Sequence, residues 1–254
     1  MTDRHPLRIA HRGARDEAPE NTFTAFERAL AYATDGIELD IQLSADGTAI
    51  IYHDATLHKI TGRRFRVSGQ TRQKLALLDW GRWFGSKFAG EPLATLEETL
   101  ARFAPRTRLL LEIKSYPADQ RSGRTNRLTR EVIRLLGRMP AAVPQSHIYI
   151  LSFDSDALQS AHQLAPQWHY VLNAGEEHVQ TLNHHSIPQL SYLHAIDVRI
   201  DRLNARIIQW ARQHGLKVFT YTCNHPRQVG KALDLGVDAI LSDRPGWLTG
   251  YLDR

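Results

Sequence analysis

Eight short apolar runs recur along the chain, and most of them are followed by a stretch with helical periodicity. Each run is bounded by polar or turn-forming residues, which is typical of a buried strand. Strands that alternate with helices form a parallel sheet, and eight such units close a barrel. The pattern therefore predicts an α/β fold, a (β/α)8 TIM barrel, with strands near residues 7–11, 36–42, 108–114, 147–152, 168–172, 194–199, 217–222 and 238–242.

The helical stretches support this prediction. Asn21 and Thr22 are suited to cap a helix in which apolar residues recur every three or four positions, namely Phe23, Phe26, Ala29, Leu30 and Ala33. Similar patterns occupy residues 127–136, 203–213 and 225–235. Because 254 residues suit one such barrel, we expect a single domain over residues 1–254.

Residues 44–94 depart from the alternating pattern. Ala45-Asp46-Gly47 is a turn signal, and residues 49–52 form an extra strand-like run that leaves no room for a crossover helix. The rest of this stretch is rich in glycine, arginine and aromatic residues, and such a long loop is usually functional. We therefore predict an insertion between strand 2 and helix 2, after which a helix begins near Thr95.

Net charge and composition indicate which binding partners and which cellular location to expect. The net charge is +5, but the basic stretches 63–66 and 121–130 do not alternate with aromatic residues, so no nucleic-acid partner is expected. The single cysteine, Cys223, excludes a disulfide within the chain. Neither a secretory signal nor a run of 18 apolar residues is present, which predicts a cytoplasmic protein without a stable membrane anchor. The oligomeric state stays open.

Ionisable residues occupy strand positions where a parallel barrel normally has apolar side chains. Glu38 and Asp40 are two residues apart and so face the same side of their strand, as do Glu112 and Lys114 on another. Buried charges are costly unless they are compensated. One divalent cation, Mg²⁺ or Ca²⁺, bound by three carboxylates would compensate them, with Lys114 placed for a phosphate oxygen. A buried acid–base network without metal is the alternative.

Two histidines are expected at the same rim of the barrel. His11 ends the first strand, and His53 ends the extra strand-like run. A single histidine at a strand end is commonly structural, but two of them beside an acidic cluster favour catalysis.

The motifs that contain these residues resemble those of the glycerophosphodiester phosphodiesterase family, of the bacterial cytoplasmic type. The resemblance covers nearly the whole chain, and the block from His11 to His53 is its most specific part. The matching motifs are Ile9-Ala-His-Arg-Gly-Ala, Ala18-Pro-Glu-Asn-Thr-Phe-Thr-Ala-Phe, Asp35-Gly-Ile-Glu-Leu-Asp-Ile-Gln-Leu-Ser-Ala-Asp-Gly, Tyr52-His-Asp-Ala-Thr-Leu, Thr95-Leu-Glu-Glu, Leu111-Glu-Ile-Lys and Gly236-Val-Asp-Ala-Ile-Leu-Ser-Asp-Arg-Pro.

The resemblance implies a role for each matching residue. His11 and His53 match the acid–base pair, Glu38, Asp40 and Glu112 match the ligands of the cation, and Arg12 and Lys114 match residues that bind phosphate. Glu20 and Asn21 match a loop element that contacts the substrate side, although a helix cap and a first-turn acid are an equally open interpretation.

Two further positions match the walls of the family's substrate pocket. Tyr221 stands where the family often has tryptophan, and Phe153 follows the fourth strand, where it is either a wall residue or part of the core. Among the remaining histidines, His184 and His185 lie in a polar stretch and are expected at the surface.

The resemblance implies hydrolysis of glycerophosphodiesters to an alcohol and sn-glycerol 3-phosphate. One histidine would deprotonate the attacking hydroxyl, either that of water or the glycerol 2-hydroxyl, and the other would protonate the departing alcohol. A lysophospholipase D-like phosphodiesterase and a non-catalytic phosphate-binding barrel are the alternatives. Aromatic residues of the insertion would either form a lid over a small polar substrate or contact an acyl chain, namely Trp80, Trp83, Phe84 and Phe88.

Overall fold

A closed parallel barrel forms the centre of the protein in the computed structural model, which describes residues 5–175, 178 and 191–254. The strands of this described part are β1 (Leu7–His11), β2 (Gly36–Leu43), β3 (Ala49–Ile51), β4 (Arg108–Ile113), β5 (Ile148–Ser152), β6 (His169–Asn173), β7 (Leu193–Arg199), β8 (Lys217–Tyr221) and β9 (Ala239–Ser242). Pairing of β1 with both β2 and β9 closes the barrel. β3 is antiparallel to β2 and lies outside the barrel wall.

The TIM-barrel prediction is confirmed, and each of the eight predicted strands corresponds to an observed one within a residue or two. Helices surround the barrel, and those of the described residues are α1 (Phe23–Leu30), α2 (His58–Thr61), α3 (Arg72–Ala76), α4 (Leu96–Phe103), α5 (Pro117–Arg121), α6 (Arg124–Leu136), α7 (Ser155–Leu164), α8 (Ala205–Gln213), α9 (Pro226–Asp234) and α10 (Pro245–Leu252). Short 3-10 helices span Val67–Gly69, Ser86–Phe88 and Gln145–His147. His184 and His185 lie outside the described residues.

Local sequence explains where several helices begin. Thr22 caps α1 by accepting a hydrogen bond from the Ala25 amide, and Thr95 forms a capping box with Glu98 at the start of α4. Asn204 caps α8 in the same way, through the amide of Ile207. Each cap satisfies backbone donors that have no partner inside the helix.

Two hydrophobic layers follow from the alternation of side chains along the strands. Residues that point outward, such as Leu39, Leu111 and Ile196, pack against the helices in the larger cluster. Residues that point inward fill the lower lumen, namely Ile9, Leu110, Tyr149, Leu151, Val171, Ala195, Phe219, Ala239 and Leu241. The part of the lumen away from the carboxyl ends of the strands is therefore apolar, and the polar inward positions lie towards those ends.

The predicted insertion has a small hydrophobic core of its own. Trp80 is at its centre, 5.2 Å from the ring of Tyr52 and hydrogen-bonded through its indole to the Leu75 carbonyl. The carboxylate of Glu91 accepts hydrogen bonds from the amide and hydroxyl of Thr24, which attaches the end of this segment to α1. Of the helices in the described ranges, none is long and apolar enough to cross a bilayer.

Candidate active site

Three buried carboxyl groups meet at the mouth of the barrel. Glu38 and Asp40 point inward from β2, Glu112 points inward from the neighbouring β4, and one oxygen from each lies within 4.8 Å of the others. Asp40 and Glu112 are register partners across the two strands, which places them side by side. The sequence-predicted ligand set is therefore brought together by two adjacent strands.

Two cations adjoin this cluster. Lys114 Nζ lies 2.8 Å from Asp40 and 2.7 Å from Glu112, and Arg12 Nε lies 3.0 Å from the other oxygen of Asp40. Burial opposes ionisation of Asp40, but Lys114 and then Arg12 outweigh it, so the pKa of Asp40 is lowered. Asp40 is thus an anion stabilised by two fixed positive charges.

Glu38 and Glu112 are less well compensated. Burial, followed by the charges of Asp40 and Glu112, raises the pKa of Glu38 well above its usual value. Burial also raises the pKa of Glu112, and Lys114 only partly offsets it. Glu38 Oε1 is buried and has no hydrogen-bond partner among the residues that the structure describes, which is costly for a carboxyl oxygen. A divalent cation fits this donor set, since three hard oxygen ligands would gain the positive charge that they lack.

The loop after β1 holds Asp40 from the opposite side. Asn21 donates from its side-chain amide to Asp40 at 2.7 Å and accepts from the Asp40 backbone amide at 3.2 Å. Arg12 and Asn21 both have positive φ angles, of 59° and 61°, which are uncommon for residues other than glycine. Both residues precede α1, so Asn21 orients a predicted ligand rather than capping the helix.

Gly13 is required by the close approach of α1 to this loop. A Cβ at Gly13 would lie 2.7 Å from the carbonyl carbon of Ala25, and its φ is +84°. The His11-Arg12-Gly13 motif therefore lets the chain turn sharply and brings the loop against the start of α1.

Glu20 is the centre of a second buried charge network. Its carboxylate lies 3.3 Å from Arg12, 2.9 Å from Arg15 and 2.7 Å from Lys59. Burial opposes ionisation of Glu20, but the neighbouring cations prevail and its pKa is lowered. Glu20 thus links the loop after β1 to the insertion, and it does not lie in the first turn of α1.

The two predicted catalytic histidines are held in the same manner. His11 Nδ1 lies 2.6 Å from Asp243, and His53 Nδ1 lies 2.8 Å from Asp54. Each carboxylate can accept a hydrogen from Nδ1, which leaves Nε2 of each ring to exchange a proton, and Nε2 of His11 lies 3.8 Å from a carboxyl oxygen of Glu38. Burial lowers the pKa of His11, although its hydrogen bond to Asp243 raises it in part.

Asp243 and Asn224 are functional candidates that the sequence analysis did not single out, although Asp243 lies within the Gly236-to-Pro245 motif. Asn224 donates to Asp243 at 2.7 Å and accepts from the Asp243 backbone amide at 2.8 Å, so it fixes the carboxylate beside His11. Asp243 follows β9 directly, and a carboxylate at a strand end of the same rim was the available signal.

Comparison with known proteins decides the family. The sequence model of the glycerophosphoryl diester phosphodiesterase family matches residues 11–247. The chain belongs to this family. It is therefore a phosphoric diester hydrolase, and the family assignment made from the motifs is confirmed.

Relatives of this phosphodiesterase cover nearly its whole length. YhdW of Bacillus subtilis (strain 168) is 30% identical over 94% of the chain and 95% of its own length. The glycerophosphodiester phosphodiesterase of Caldanaerobacter subterraneus subsp. tengcongensis is 28% identical over 98% of both chains. An Oleispira antarctica phosphodiesterase, solved in complex with the product sn-glycerol-3-phosphate, is 25% identical with a TM-score of 0.82, covering 98% of this chain and 97% of its own.

Tyr221 and Phe153 are the two predicted wall residues, and the barrel places Tyr221 in the lumen. The stagger of an eight-stranded barrel brings inward residues of alternate strands to one level, here His11, Glu112, Asn173 and Tyr221. Phe153 comes directly after β5 and is 48% exposed, so it is not a core residue. Burial and the nearby acids Asp197 and Glu112 raise the pKa of the Tyr221 phenol, which stays neutral.

Proposed function

We propose that the protein hydrolyses glycerophosphodiesters to an alcohol and sn-glycerol 3-phosphate. The observation that carries this proposal is a pair of carboxylate-bound histidines, His11 and His53, in the same barrel mouth as a cluster of three buried acids. Membership of the family and the product bound to the Oleispira antarctica relative support the choice of glycerol-containing diesters.

Proton transfer falls to the two imidazoles. One Nε2 accepts the proton of the attacking hydroxyl as the new bond from oxygen to phosphorus forms. The other histidine, protonated beforehand, gives its proton to the alcohol oxygen as the bond between that oxygen and phosphorus breaks. Asp243 and Asp54 stabilise the ring that carries the positive charge.

Two reaction routes can use these same residues, and they differ in the nucleophile that attacks phosphorus. Attack by the glycerol 2-hydroxyl forms a cyclic phosphate, which water opens in a second step with the two histidines exchanging roles. Attack by water yields sn-glycerol 3-phosphate directly. A search for the cyclic intermediate, together with turnover of a diester that lacks the glycerol 2-hydroxyl, distinguishes these routes, because only the first route needs that hydroxyl.

The residues expected to bind phosphate and the cation lie on β1, β2 and β4 or directly after them, on one side of the lumen. Arg12 and Lys114 would bind phosphate oxygens, and Glu38, Asp40 and Glu112 would hold one Mg²⁺ or Ca²⁺ ion. Such a cation, when bound, stabilises the negative charge that develops on phosphate. Asn21 keeps Asp40 oriented, and Glu20 keeps Arg12 in place.

Packing of the insertion favours a small polar substrate over a lysophospholipid. Trp80 is buried in the core of the insertion, Trp83 lies 5.0 Å below the ammonium of Lys59, and Phe84 packs on Phe88 at 5.3 Å. These rings contact one another or a cation, which leaves less of their apolar surface for an acyl chain.

The test is release of glycerol 3-phosphate from a panel of glycerophosphodiesters, coupled to glycerol 3-phosphate dehydrogenase. We expect turnover of glycerophosphocholine with Mg²⁺ or Ca²⁺, loss of turnover with chelator, and weaker turnover of lysophosphatidylcholine. A preference for the lysophospholipid would support the alternative activity. Absence of turnover for every diester, with intact fold, would contradict catalysis altogether.

A further inference from the structure

Two polar residues face the acidic cluster from the far side of the lumen. Asn173 and Asp197 are register partners on β6 and β7, and both are only 2% exposed. Neither belongs to the motifs that the family resemblance rests on, and neither contacts the histidines or the predicted ligands of the cation in a hydrogen bond or ion pair.

The barrel stagger places both residues at the level of the reaction. Asn173 shares a layer with His11, Glu112 and Tyr221, and β6 lies across the barrel from β1. Asp197 is one level lower, with Leu151 and Leu241, and lies across the barrel from Glu38. The level below that is apolar, with Ile9, Leu110, Val171 and Phe219. Asn173 and Asp197 thus lie on the boundary between the polar mouth and the apolar floor.

Both side chains have buried oxygens that are not satisfied by the protein. Asn173 Oδ1 and Asp197 Oδ1 have no hydrogen-bond partner within the described part of the chain. Most buried polar atoms of folded proteins are paired, and an unpaired one destabilises the fold. Two such atoms on adjacent strands of an active-site lumen indicate that a ligand supplies the missing bonds.

The hydrogen-bonding groups of Asn173 and Asp197 indicate which kind of ligand they would bind. An ionised phosphate oxygen cannot donate a hydrogen bond to these acceptor oxygens, and Arg12 and Lys114, the residues expected to bind phosphate, follow β1 and β4 rather than β6 and β7. Burial and then the charge of Glu112 raise the pKa of Asp197 well above its usual value, which disfavours its anion and makes a second cation a poor partner. A hydroxyl can donate to either unpaired oxygen and accept from the side-chain amide of Asn173, which matches this pair.

We propose that Asn173 and Asp197 form a hydroxyl-binding subsite for the polyol part of the substrate, which is the glycerol unit if the proposed function holds. Phosphate would then be bound at Arg12 and Lys114, and the glycerol hydroxyls would reach across the lumen to β6 and β7. The subsite distinguishes glycerol from alcohols of the same length that lack its free hydroxyls, because an alkyl group would leave both oxygens unpaired.

The experiment compares two ligands that differ only in these hydroxyls. Binding of sn-glycerol 3-phosphate and of propyl phosphate is measured by calorimetry with saturating Mg²⁺, for the wild type, Asn173→Leu and Asp197→Leu. We expect the wild type to prefer sn-glycerol 3-phosphate, and each variant to reduce that preference by about tenfold with unchanged affinity for propyl phosphate.

Two further variants separate recognition from packing. Leu151→Met changes the same layer without removing a polar atom, and it should retain the wild-type preference. Asp197→Asn keeps a hydrogen-bonding side chain of nearly the same shape, and it should restore most of the preference lost in Asp197→Leu. Equal loss of affinity for both ligands, or a preference unchanged in both leucine variants, would overturn the subsite, as would a wild type that does not discriminate.

Failure of the subsite is distinguishable from failure of the proposed function. Turnover of glycerophosphocholine by the wild type, together with unchanged ligand preference in the leucine variants, overturns the subsite alone. Preference for sn-glycerol 3-phosphate that depends on Asn173 and Asp197, without turnover of any glycerophosphodiester, overturns the proposed reaction and leaves the subsite.

Discussion

His11 and His53 come from distant parts of the chain, but each has a carboxylate at Nδ1. His11 is the more deeply buried ring, since its side chain is 11% exposed and that of His53 is 34% exposed. This similarity supports equivalent and reciprocal roles in proton transfer.

Replacing either histidine should abolish most of the activity without unfolding the protein. We expect His11→Ala and His53→Ala each to lower kcat by a factor of about 10² or more, because proton transfer at the nucleophile or leaving group is lost. Steady-state kinetics with circular dichroism as a check of fold measures this. Near-normal kcat in either variant would exclude that residue from the acid–base pair.

Asp243 should act through His11 rather than on the substrate. Asp243→Asn keeps the size of the side chain but removes the charge that orients the ring and stabilises its protonated form. We expect kcat to fall by about tenfold or more, with little change in KM and a shifted pH profile. Arg15→Met is the matched control, because Arg15 also lies beside Asp243 but does not contact His11; equal losses in both variants would argue against the positioning role.

Glu112 should determine the requirement for metal. In Glu112→Gln, one charged ligand of the cluster becomes neutral, so we expect half-maximal activity to need at least about tenfold more Mg²⁺ or Ca²⁺. Titration of activity against free metal after chelator treatment measures the change. An unchanged metal dependence would remove Glu112 from the ligand set.

At the scale of elements, the insertion is part of the active site although only its beginning reaches the barrel mouth. Gln42, on β2, donates to the carbonyls of Tyr52 and Asp54 at 2.7 and 2.9 Å, and Tyr116 donates to the carbonyl of His53 at 2.6 Å. His53 is therefore held by barrel residues, while Lys59 connects the following helix α2 to Glu20 and Asp54. A lid formed by the aromatic residues of the insertion would therefore belong to the segment beyond these bonds.

Trp80 should hold that outer segment together. Trp80→Ala removes the central ring of the insertion's core, at a cost of about 3–5 kcal/mol to local stability. We expect faster amide hydrogen exchange across residues 55–93, whereas the barrel strands stay protected. Phe65→Ala is the control, since Phe65 belongs to the insertion but is 49% exposed. Equal exchange in both variants would show that the insertion does not depend on this core.

Comparing the predicted and observed ends of strands and helices shows which of these ends a sequence pattern can locate. The β1 and β4 strands were predicted to within a residue, because a buried parallel strand is a continuous apolar run with turn residues at its ends. The start of α6 was placed three residues late, at 127 instead of Arg124. Its first turn is polar and half-exposed, so hydrophobic periodicity cannot detect it.

At the scale of the whole molecule, the two ends of the barrel carry different ionisable groups. The end opposite the active site contains His169 and His194, whose rings are 4.1 Å apart. Burial, followed by repulsion from His169 and Lys217, lowers the pKa of His194 to about 4, and burial also lowers that of His169. Both rings are thus neutral in the folded protein at neutral pH.

This pair should make stability depend on acidity. As pH falls from 6.5 towards 4, the unfolded chain binds protons that folded His194 does not, so the free energy of unfolding decreases. We expect His194→Leu to reduce this decrease over the same range and to leave kcat unchanged at neutral pH. Melting temperatures from pH 7 to pH 4 measure the effect. A slope as steep as that of the wild type would show that His194 does not contribute.

The sequence by itself determined the alternation of strands and helices and the inward direction of Glu38, Asp40 and Glu112, because strand periodicity and side-chain direction are local properties. It also identified both histidines through their motifs. Only the tertiary structure decided that Asp243, 232 residues away, binds His11, and that Asn173 and Asp197 face the acidic cluster. Those relations depend on closure and stagger of the barrel, which bring together residues whose spacing along the chain carries no such information.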